Sequence, residues 1–470
     1  MKVHDPLLQA WQKTLERRRD HGAILDEQGW QVRTFQQVED RAVNLVDQLR
    51  KFEPGTVIGV QIGNHADWPS IILAALRQRL PVVPIDQSAS AQDRATALEI
   101  CRGSGLITAA PGNAQTNRGA DLTICSLSAD TIDWGDDIPA LLKLTSGTTA
   151  APRAIRFQSA QLFADCVQIC DTMGISEADV NFGVIPISHS YGFSNLLTPL
   201  IVRGVPVALS SDRLPRAVLH NLGRSGATVF PGMPVFYQSF HEIGDAPILP
   251  ALRLCISAGA PLPAPVATQF EDKFNLRIHS FYGSSECGGI CYDTKGQIVG
   301  DGFVGKEMNG VTIEPLSAGP QGTQVRVRSA AVADGYFPQS EEIKLSNGAF
   351  TPDDVLTSSP AGWRIVGRVS DLINVAGKKV NPAEVEAELL AITGVRDAVV
   401  FGRTSSVRNE EVAACVVAAE GISETDLLKI CRRRLSGWQV PKRIFMLDQL
   451  PVNERGKISR RELGTRFGGQ

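Results

Sequence analysis

The segment that follows the apolar run Leu141–Leu144 has the composition of a phosphate-binding loop. It gathers hydroxyl side chains around one glycine, and its members are Thr145, Ser146, Gly147, Thr148 and Thr149. Backbone N–H groups and hydroxyls in such a loop can donate hydrogen bonds to phosphate oxygens, and Arg153 can add positive charge. The segment lacks the Gly-Lys-Ser/Thr ending of a Walker loop, so by itself it is equally compatible with a plain polar turn.

Further polar motifs follow this loop in a definite order along the chain. They are Tyr282-Gly283-Ser284-Ser285-Glu286, Gly367-Arg368 with Asp371, and Gly456-Lys457-Ile458. Together with the loop, these motifs resemble the adenylate-forming superfamily, which includes acyl-CoA synthetases, aryl-acid ligases, peptide-synthetase adenylation domains and luciferases. The resemblance extends over about residues 34–463, which is nearly the whole chain.

The resemblance implies ATP-dependent activation of a carboxylic acid. An acyl-adenylate would form with release of pyrophosphate, and the acyl group would pass to a pantetheine thiol of coenzyme A or of an acyl carrier protein. ATP and Mg²⁺ are the implied cofactors. Because carboxylate and phosphates are both negative, the site must focus positive charge and donors on them. By resemblance, Lys457 is the catalytic lysine and Glu286 binds magnesium, which prefers hard oxygen ligands.

The same resemblance assigns the other nucleotide contacts. The loop from Thr145 to Arg153 would hold the β- and γ-phosphates, and Ser285 would bind the α-phosphate. Asp353, followed by a second aspartate, would accept hydrogen bonds from the ribose hydroxyls. Arg368 would also contact the ribose, at the junction of two domains, where its plainer role is a salt bridge. The adenine side would be formed by Tyr282, which stacks on the base, and by Gly259 and Ala260. Gly283 would also bind ATP.

An acyl pocket is implied next to His189, which stands at the family's gating position. Apolar or small residues that could line the pocket, or equally belong to the core, are Phe193, Phe230, Met233, Phe281, Gly288 and Gly289. They fit an aryl acid or a medium acyl chain. An ordinary α-amino acid is disfavoured, because no carboxylate follows Phe193 to pair with its ammonium. For the thiol arm, the resemblance implies a channel at Gly377 and Lys378.

Some positions depart from the family pattern and keep other hypotheses open. Ala150 and Ala154 replace glycines and Arg153 replaces lysine, which keeps the charge but not its geometry. At the hinge, Ser370 occupies the usual aspartate position, so the pivot is either Ser370 or Asp371. One rival hypothesis is a nucleotide- or acyl-binding sensor or scaffold with degraded catalysis. Another is acid activation for a non-thioester product, including luciferase-like oxidation.

The elements that must position these residues follow an α/β pattern. Thr34 begins a capping box for an amphipathic helix, and the runs 57–62, 68–77 and 81–85 predict a strand, a helix and a strand. Further strand-like runs are 183–186, 206–209, 228–230 and 252–257. We therefore predict a large amino-terminal α/β domain over residues 1–367. A small, mobile α+β domain over residues 368–470 would carry Lys457.

Composition limits the remaining function classes. The 470 residues carry a net charge of -3, which gives no reason to expect nucleic acid as a partner. The start of the sequence lacks an apolar signal core, and we expect a cytoplasmic protein without membrane insertion. Nine cysteines do not predict a disulfide framework at this length, and the pairs Cys166/Cys170 and Cys287/Cys291 lack further ligands for zinc. The oligomeric state stays open.

Overall fold

A computed structural model describes residues 5–109, 122–128, 132–144, 153–298, 300, 302–319, 322–338, 344–375, 378–405, 409–451, 458 and 460–467. The chain divides into two compact units. Unit 1 comprises Met1–Glu314, Arg326–Pro352 and Ser358–Arg364. Unit 2 comprises Pro315–Val325, Asp353–Thr357 and Ile365–Gln470. The domain boundary predicted at residues 367/368 stays a prediction.

The helices are distributed over both units. Those of unit 1 are α1 (Pro6–Arg18), α2 (Phe35–Leu49), α3 (Trp68–Gln78), α4 (Ala91–Cys101), α5 (Ser159–Met173), α6 (Ser190–Gly192), α7 (Thr198–Arg203), α8 (Pro215–Arg224), α9 (Pro234–Glu242) and α10 (Ala264–Phe274). Those of unit 2 are α11 (Pro382–Leu390), α12 (Glu424–Arg434) and α13 (Arg460–Arg466). A π-helical turn, Phe193–Leu197, joins α6 to α7, and a 3₁₀ turn occupies Val369–Asp371. None of the helices in the described ranges combines the length and apolarity needed to cross a bilayer.

The strands begin near the amino terminus and alternate with the helices. They are β1 (Gly22–Leu25), β2 (Gln31–Thr34), β3 (Val57–Gln61), β4 (Val82–Pro84), β5 (Gly103–Ala109), β6 (Leu122–Ser126), β7 (Leu141–Leu144), β8 (Ala154–Phe157), β9 (Asn181–Gly183), β10 (Val207–Leu209), β11 (Val229–Gly232), β12 (Leu254–Ser257), β13 (Ile278–Ser284) and β14 (Gly288–Tyr292). The later strands are β15 (Phe303–Glu307), β16 (Thr312–Gly319), β17 (Gly322–Arg328), β18 (Gly335–Phe337), β19 (Leu345–Ser346), β20 (Ala349–Phe350), β21 (Asp354–Ser359), β22 (Gly362–Arg368), β23 (Ile373–Val375), β24 (Lys378–Val380), β25 (Val395–Ser405), β26 (Asn409–Ala418) and β27 (Arg443–Met446).

Two sheets organise unit 1. One has the order β18-β8-β7-β4-β3-β5-β6, in which β3 and β4 are parallel, as expected for a βαβ unit built through α3. The other includes β15-β14-β13-β12-β11-β9-β10-β1-β2 in that order. Its strands β11, β12 and β13 are parallel, and Gly232 and Ser257, at the carboxyl ends of β11 and β12, lie side by side, with Ser280 of β13 next to Ser257. Loops beyond such strand ends are where ligands bind in α/β sheets.

Unit 2 has its own sheet and core. The sheet order is β24-β23-β26-β25, with β27 added in parallel on β26. Apolar side chains of α11 and α12, including Val385, Leu389 and Leu427, pack with buried strand residues such as Val400 and Val416. Each unit thus combines sheets with helices. The predicted fold class, a large α/β part and a small α+β part, is confirmed.

Local signals in the sequence were largely sufficient for individual elements. The capping box of α2 is present, because the Gln37 N–H donates to Thr34 Oγ1 at 3.1 Å and Gln37 Oε1 accepts from the Thr34 N–H at 2.8 Å. The run predicted at 183–186 is corrected, since β9 already ends at Gly183. Beyond that point a side chain replaces a strand partner: Asn64 Nδ2 donates to the carbonyls of Gly183 and Ile185, at 2.9 and 3.1 Å.

Candidate active site

The segment that carries His189 is fixed by Asn64. Besides its two donated bonds, Asn64 accepts a hydrogen bond from the Ile187 N–H at 2.9 Å. The chain then turns into the short helix α6, where the His189 carbonyl accepts from the Phe193 N–H at 2.8 Å. Gly192 is required at this turn, because a Cβ there would lie 2.1 Å from the Pro186 carbonyl oxygen. The backbone of His189 is therefore held on both sides.

The His189 side chain meets a carboxylate from another loop. Its Nε2 lies 2.9 Å from Asp86 Oδ2, and the Ser188 hydroxyl donates to the same oxygen at 3.4 Å. The hydrogen bond from His189 and those from Ser88 hold the pKa of Asp86 far below its usual range. Asp86 is consequently an anion at any neutral pH. Sequence reasoning missed it, because nothing in the local pattern after β4 distinguishes this aspartate.

A serine pair joins this segment to the predicted magnesium motif. Ser190 Oγ donates to Ser285 Oγ at 3.0 Å. Ser285 lies in the turn between β13, which carries Phe281 and Tyr282, and β14. The structure thus brings together the segment of His189 and Ser285, the serine predicted to bind the α-phosphate, although Ser190 and Ser285 are 95 positions apart in the sequence.

A buried carboxylate stabilises the turn around Glu286. Asp165 on α5 accepts a hydrogen bond from the Gly289 N–H at 3.0 Å. Gly288 has φ +69°, and a Cβ at that position would lie 2.0 Å from Asp165 Oδ1. Only glycine fits both the left-handed backbone and the close approach of Asp165. The predicted small residues at 288 and 289 therefore shape the turn that presents Glu286.

Glu286 lies in surroundings that suit a cation. Burial raises its pKa above the ordinary value, which hydrogen bonds and the charge of Arg153 only partly offset. The Tyr336 hydroxyl donates to Glu286 Oε1 at 3.5 Å, and the Arg153 guanidinium lies 3.7 Å from the centre of the Tyr336 ring. Magnesium typically uses one or two carboxylates together with substrate phosphates, so a single glutamate fits. The described residues contain no cluster of three or more metal-ligating side chains.

A buried lysine lies beneath this turn, and sequence reasoning missed it. Lys143 on β7 is 6% exposed, and its ammonium lies 4.6 Å from the ring centre of Phe157 and 5.5 Å from that of Phe193. Burial lowers the pKa of Lys143 to about 8, against the opposing charges of Asp165 and Glu286. The available signal was a charged residue inside the apolar run that immediately precedes the hydroxyl-rich loop.

The residues predicted for the acyl pocket do not all lie in the same surroundings. Phe281 is buried with its ring centre 5.9 Å from that of Tyr191, and Met233 lies near Gly259. Phe193 is buried beside Lys143. By contrast, Phe230 is fully buried within an aromatic core cluster formed with Phe182, Phe236, Tyr237 and Phe240. Its role in the pocket stays a prediction.

Tyr191 belongs to the segment of His189 that resembles the family's acyl-pocket border, and the structure shows what its side chain contacts. Its hydroxyl faces the backbone carbonyls of Gly232 and Ile256, at 3.3 and 3.4 Å, at the ends of β11 and β12. These contacts orient the ring against Phe281. The exposed loop of Gly259 and Ala260 follows the end of β12 directly, with Gly259 at φ +85°.

Residues predicted for the ribose and the thiol lie in unit 2. The Arg368 Nε donates to Asp354 Oδ1 at 2.8 Å, and this ion pair with the aspartate after Asp353 lies within unit 2. The Asp353 carbonyl accepts from the Val369 N–H at 2.7 Å. The Lys378 ammonium lies 3.8 Å from the ring centre of Trp438. Predicted residues outside the described ranges are Thr145, Ser146, Gly147, Thr148, Thr149, Gly377 and Lys457.

Comparison with known proteins is consistent with this arrangement. A profile described as AMP-binding enzyme matches residues 11–337, and one described as AMP-binding enzyme C-terminal domain matches residues 384–457. The feruloyl-CoA synthase of Amycolatopsis sp is 27% identical over 464 residues, covering 93% of this chain and 94% of that protein. The oxalate–CoA ligase of Arabidopsis thaliana is 26% identical over 474 residues, covering 91% of each. ATP-bound MatB from Rhodopseudomonas palustris shares the fold, with a TM-score of 0.82 and 23% identity over 99% of both chains.

Proposed function

The chain belongs to the AMP-binding enzyme family, and from that premise we propose that it joins an aryl carboxylic acid to coenzyme A. It is an AMP-forming acid–thiol ligase, which activates a carboxylic acid as an acyl-adenylate and transfers the acyl group to a pantetheine thiol. The predicted family, enzyme class and use of ATP with Mg²⁺ are confirmed. The aryl substrate, the coenzyme A acceptor and the roles of individual residues are proposals.

The first half-reaction makes one bond and breaks one. A carboxylate oxygen of the acid attacks the α-phosphorus of ATP, and the bond from that phosphorus to the oxygen bridging to the β-phosphate breaks, so pyrophosphate leaves. Thr145–Thr149 and Arg153 would hold the departing phosphates, and the positive charge of Lys457 would offset the repulsion between the two reacting anions. Glu286 would hold magnesium, which would neutralise phosphate charge. Ser285, tied to Ser190, directs a donor at the α-phosphate.

The second half-reaction transfers the acyl group. The thiol sulfur attacks the acyl carbonyl carbon, the bond to the AMP oxygen breaks, and AMP leaves as the thioester forms. We assign Gly377 and Lys378 to the passage of the pantetheine arm. Both residues belong to the proposed mobile domain, residues 368–470. Its rotation would exchange the Lys457 face for the Lys378 face between the two steps.

The ring pair of Tyr191 and Phe281 carries the proposal of an aryl acid. Tyr191 directly follows Ser190, Phe281 lies on the strand that leads to Ser285, and hydrogen bonding orients the Tyr191 ring. Gly289 lets the backbone pass close to the Phe281 ring, because a Cβ there would lie 3.0 Å from the ring and 2.6 Å from Met308 Sδ. A flat aromatic substrate gains from edge or offset contacts with such rings beyond simple burial. The name of the feruloyl-CoA synthase relative also refers to an aromatic acyl group.

A pyrophosphate-exchange screen tests this proposal. Purified protein is given ATP, Mg²⁺ and labelled pyrophosphate with benzoate, 4-hydroxycinnamate, hexanoate or oxalate. We expect the highest kcat/KM with an aryl acid, and a faster thioester with coenzyme A than with a phosphopantetheinylated carrier protein. A higher kcat/KM for hexanoate or oxalate would overturn the aryl assignment. Absence of exchange and of AMP with a broad acid library would favour the sensor or scaffold alternative.

The role of Lys457 has its own test. We predict that Lys457→Ala abolishes adenylation but largely spares thioester formation from supplied acyl-adenylate, because its charge is needed only while two anions approach. Lys429→Ala, which removes an exposed lysine of α12, is the matched control and should leave both half-reactions intact. Equal loss of both half-reactions in Lys457→Ala would contradict the assignment.

We also propose a cytoplasmic location. All nine cysteines lie in the described ranges and are free thiols, which fits a reducing compartment. Localisation of a tagged full-length protein by cell fractionation tests this, and recovery in an oxidising compartment would contradict it.

A further inference from the structure

The carboxylate of Asp86 stands out because it engages the predicted gating histidine directly. Asp86 lies just after β4, whereas His189 lies at the start of α6. Their side chains meet at 2.9 Å, from Nε2 to Oδ2. The Asp86 side chain is 25% exposed and that of His189 is 53% exposed. Water therefore reaches part of the imidazole ring. The contact is thus a charge-assisted hydrogen bond that is partly exposed to solvent.

The Asp86 carboxylate is itself rigidly mounted. Its other oxygen, Oδ1, accepts from the N–H and the hydroxyl of Ser88, at 2.8 and 2.5 Å, which forms an Asx turn. The backbone of this loop is held by the buried Gln61 of β3, whose amide donates to the carbonyls of Asp86 and Ala89 at 3.0 and 3.1 Å. The carboxylate therefore cannot follow the imidazole if the ring rotates.

The histidine has little freedom apart from its side-chain torsions. Its backbone is anchored through Asn64 on one side and through the Phe193 N–H on the other. Without a partner, an imidazole on an exposed helix start samples several rotamers. The bond to Asp86 removes that freedom and places a proton on Nε2, which leaves Nδ1 as the nitrogen that can face a ligand.

We propose that Asp86 is a positioning residue, which holds the His189 imidazole in the orientation that lets the carboxylic acid enter the site for adenylation. The inference rests on the proposed function and on the role assigned there to His189. Asp86 itself touches neither the acid nor the nucleotide, and acts through the histidine. Ser88 and Gln61 serve as its support.

The test uses Asp86→Asn, because asparagine also forms Asx turns and so preserves the bonds from Ser88. With its amide oxygen accepting from Ser88, the variant presents an N–H donor to Nε2 in place of the anionic acceptor. In pyrophosphate exchange we expect the kcat/KM for the acid to fall by about tenfold, in line with loss of one charge-assisted hydrogen bond, while the KM for ATP is unchanged. In a His189→Ala background the same change should cause no further loss.

Asp93→Asn is the matched control. Asp93 lies a few residues further along, where its carboxylate accepts from the N–H and the hydroxyl of Ser90 in the capping box of α4. Its loss should lower thermal stability slightly, as cap removal does, and leave the kinetics for acid and ATP unchanged. If Asp86→Asn retains full kcat/KM, or if its effect multiplies with that of His189→Ala, the positioning role is wrong.

A spectroscopic readout separates this inference from the proposed function. The protein has 7 histidines, so the ring ¹⁵N signals of His189 can be assigned as those lost in His189→Ala. Asp86→Asn should shift these ring signals, and Asp93→Asn should not. Unshifted signals would overturn the inference. Wild-type protein that is inert with every acid, with the shift still present, would instead overturn the proposed function and leave Asp86 holding the ring.

Discussion

Replacing Lys143 by methionine should stabilise the protein at neutral pH. Within the described part of the chain the Lys143 ammonium makes no hydrogen bond or ion pair, and it lies over the rings of Phe157 and Phe193. Burial dominates the pKa of Lys143 and lowers it from 10.5 to about 8. A buried charge without a direct partner is costly, whereas methionine keeps the unbranched stem and fills the same space.

The size of the effect follows from the two pKa values of Lys143. The difference between 10.5 in the unfolded chain and about 8 in the folded protein, at about 1.4 kcal/mol per pH unit, corresponds to roughly 3 kcal/mol. Between these pH values the unfolded chain binds more protons than the folded protein, so the free energy of unfolding rises with pH in this window. The full penalty is present below pH 8, and it is relieved as pH approaches 10.5.

Urea unfolding at several pH values measures this effect. Lys143→Met should raise the midpoint at pH 7 and should lack the increase that the wild-type protein shows between pH 8 and 10.5. Lys51→Met is the control, because Lys51 is exposed and donates to the Ile124 carbonyl at 3.0 Å. That variant should retain the pH-dependent increase. A lower midpoint for Lys143→Met at pH 7, or a pH dependence equal to that of the wild type, would refute the reasoning.

Two further predictions concern a glycine and a buried aspartate. Gly288→Ala should destabilise the protein by about 2–3 kcal/mol and reduce adenylation, because its Cβ would collide with Asp165. Gly226→Ala, at φ +67° but with open space around its Cβ, should cost only about 1 kcal/mol in the same urea assay; equal costs would refute the collision. Burial alone would raise the pKa of Asp67, but Arg33 and a second guanidinium bring it below the ordinary value of 3.8. The Asp67 contribution is therefore present at neutral pH and lost as pH falls below about 4, so Asp67→Asn should lower the urea midpoint at pH 7 and weaken its acid dependence. An unchanged midpoint at pH 7 would count against this pairing.

Much of the fold was predictable because helices and strands depend on residues close in the sequence. The capping box at Thr34 and Gln37, and the strand, helix and strand from Val57 onward, are local patterns that appear as predicted. The strand predicted at 183–186 is wrong beyond Gly183, because the carbonyls there bond to Asn64. That side chain is 119 positions away from Gly183 and no local pattern announces it.

The chemistry of the site was predictable to the extent that motifs encode it. The order of the hydroxyl-rich loop, Glu286 and Lys457 was sufficient to predict the family, because each motif needs only its own few residues. Apolar type alone could not separate pocket from core. Phe230 and Phe281 look alike in the sequence, yet one ring lies in the aromatic core and the other faces Tyr191.

The sequence by itself therefore determined the family, the reaction and the local elements, since these follow from residue type and short spacing. Only the tertiary structure decided which side chains support the site. Asp165 meets Gly289 from 124 positions away, and Asp86 reaches His189 from another strand end. Such partners depend on which strands lie side by side and on the direction of each side chain, and hydrophobic patterning specifies neither.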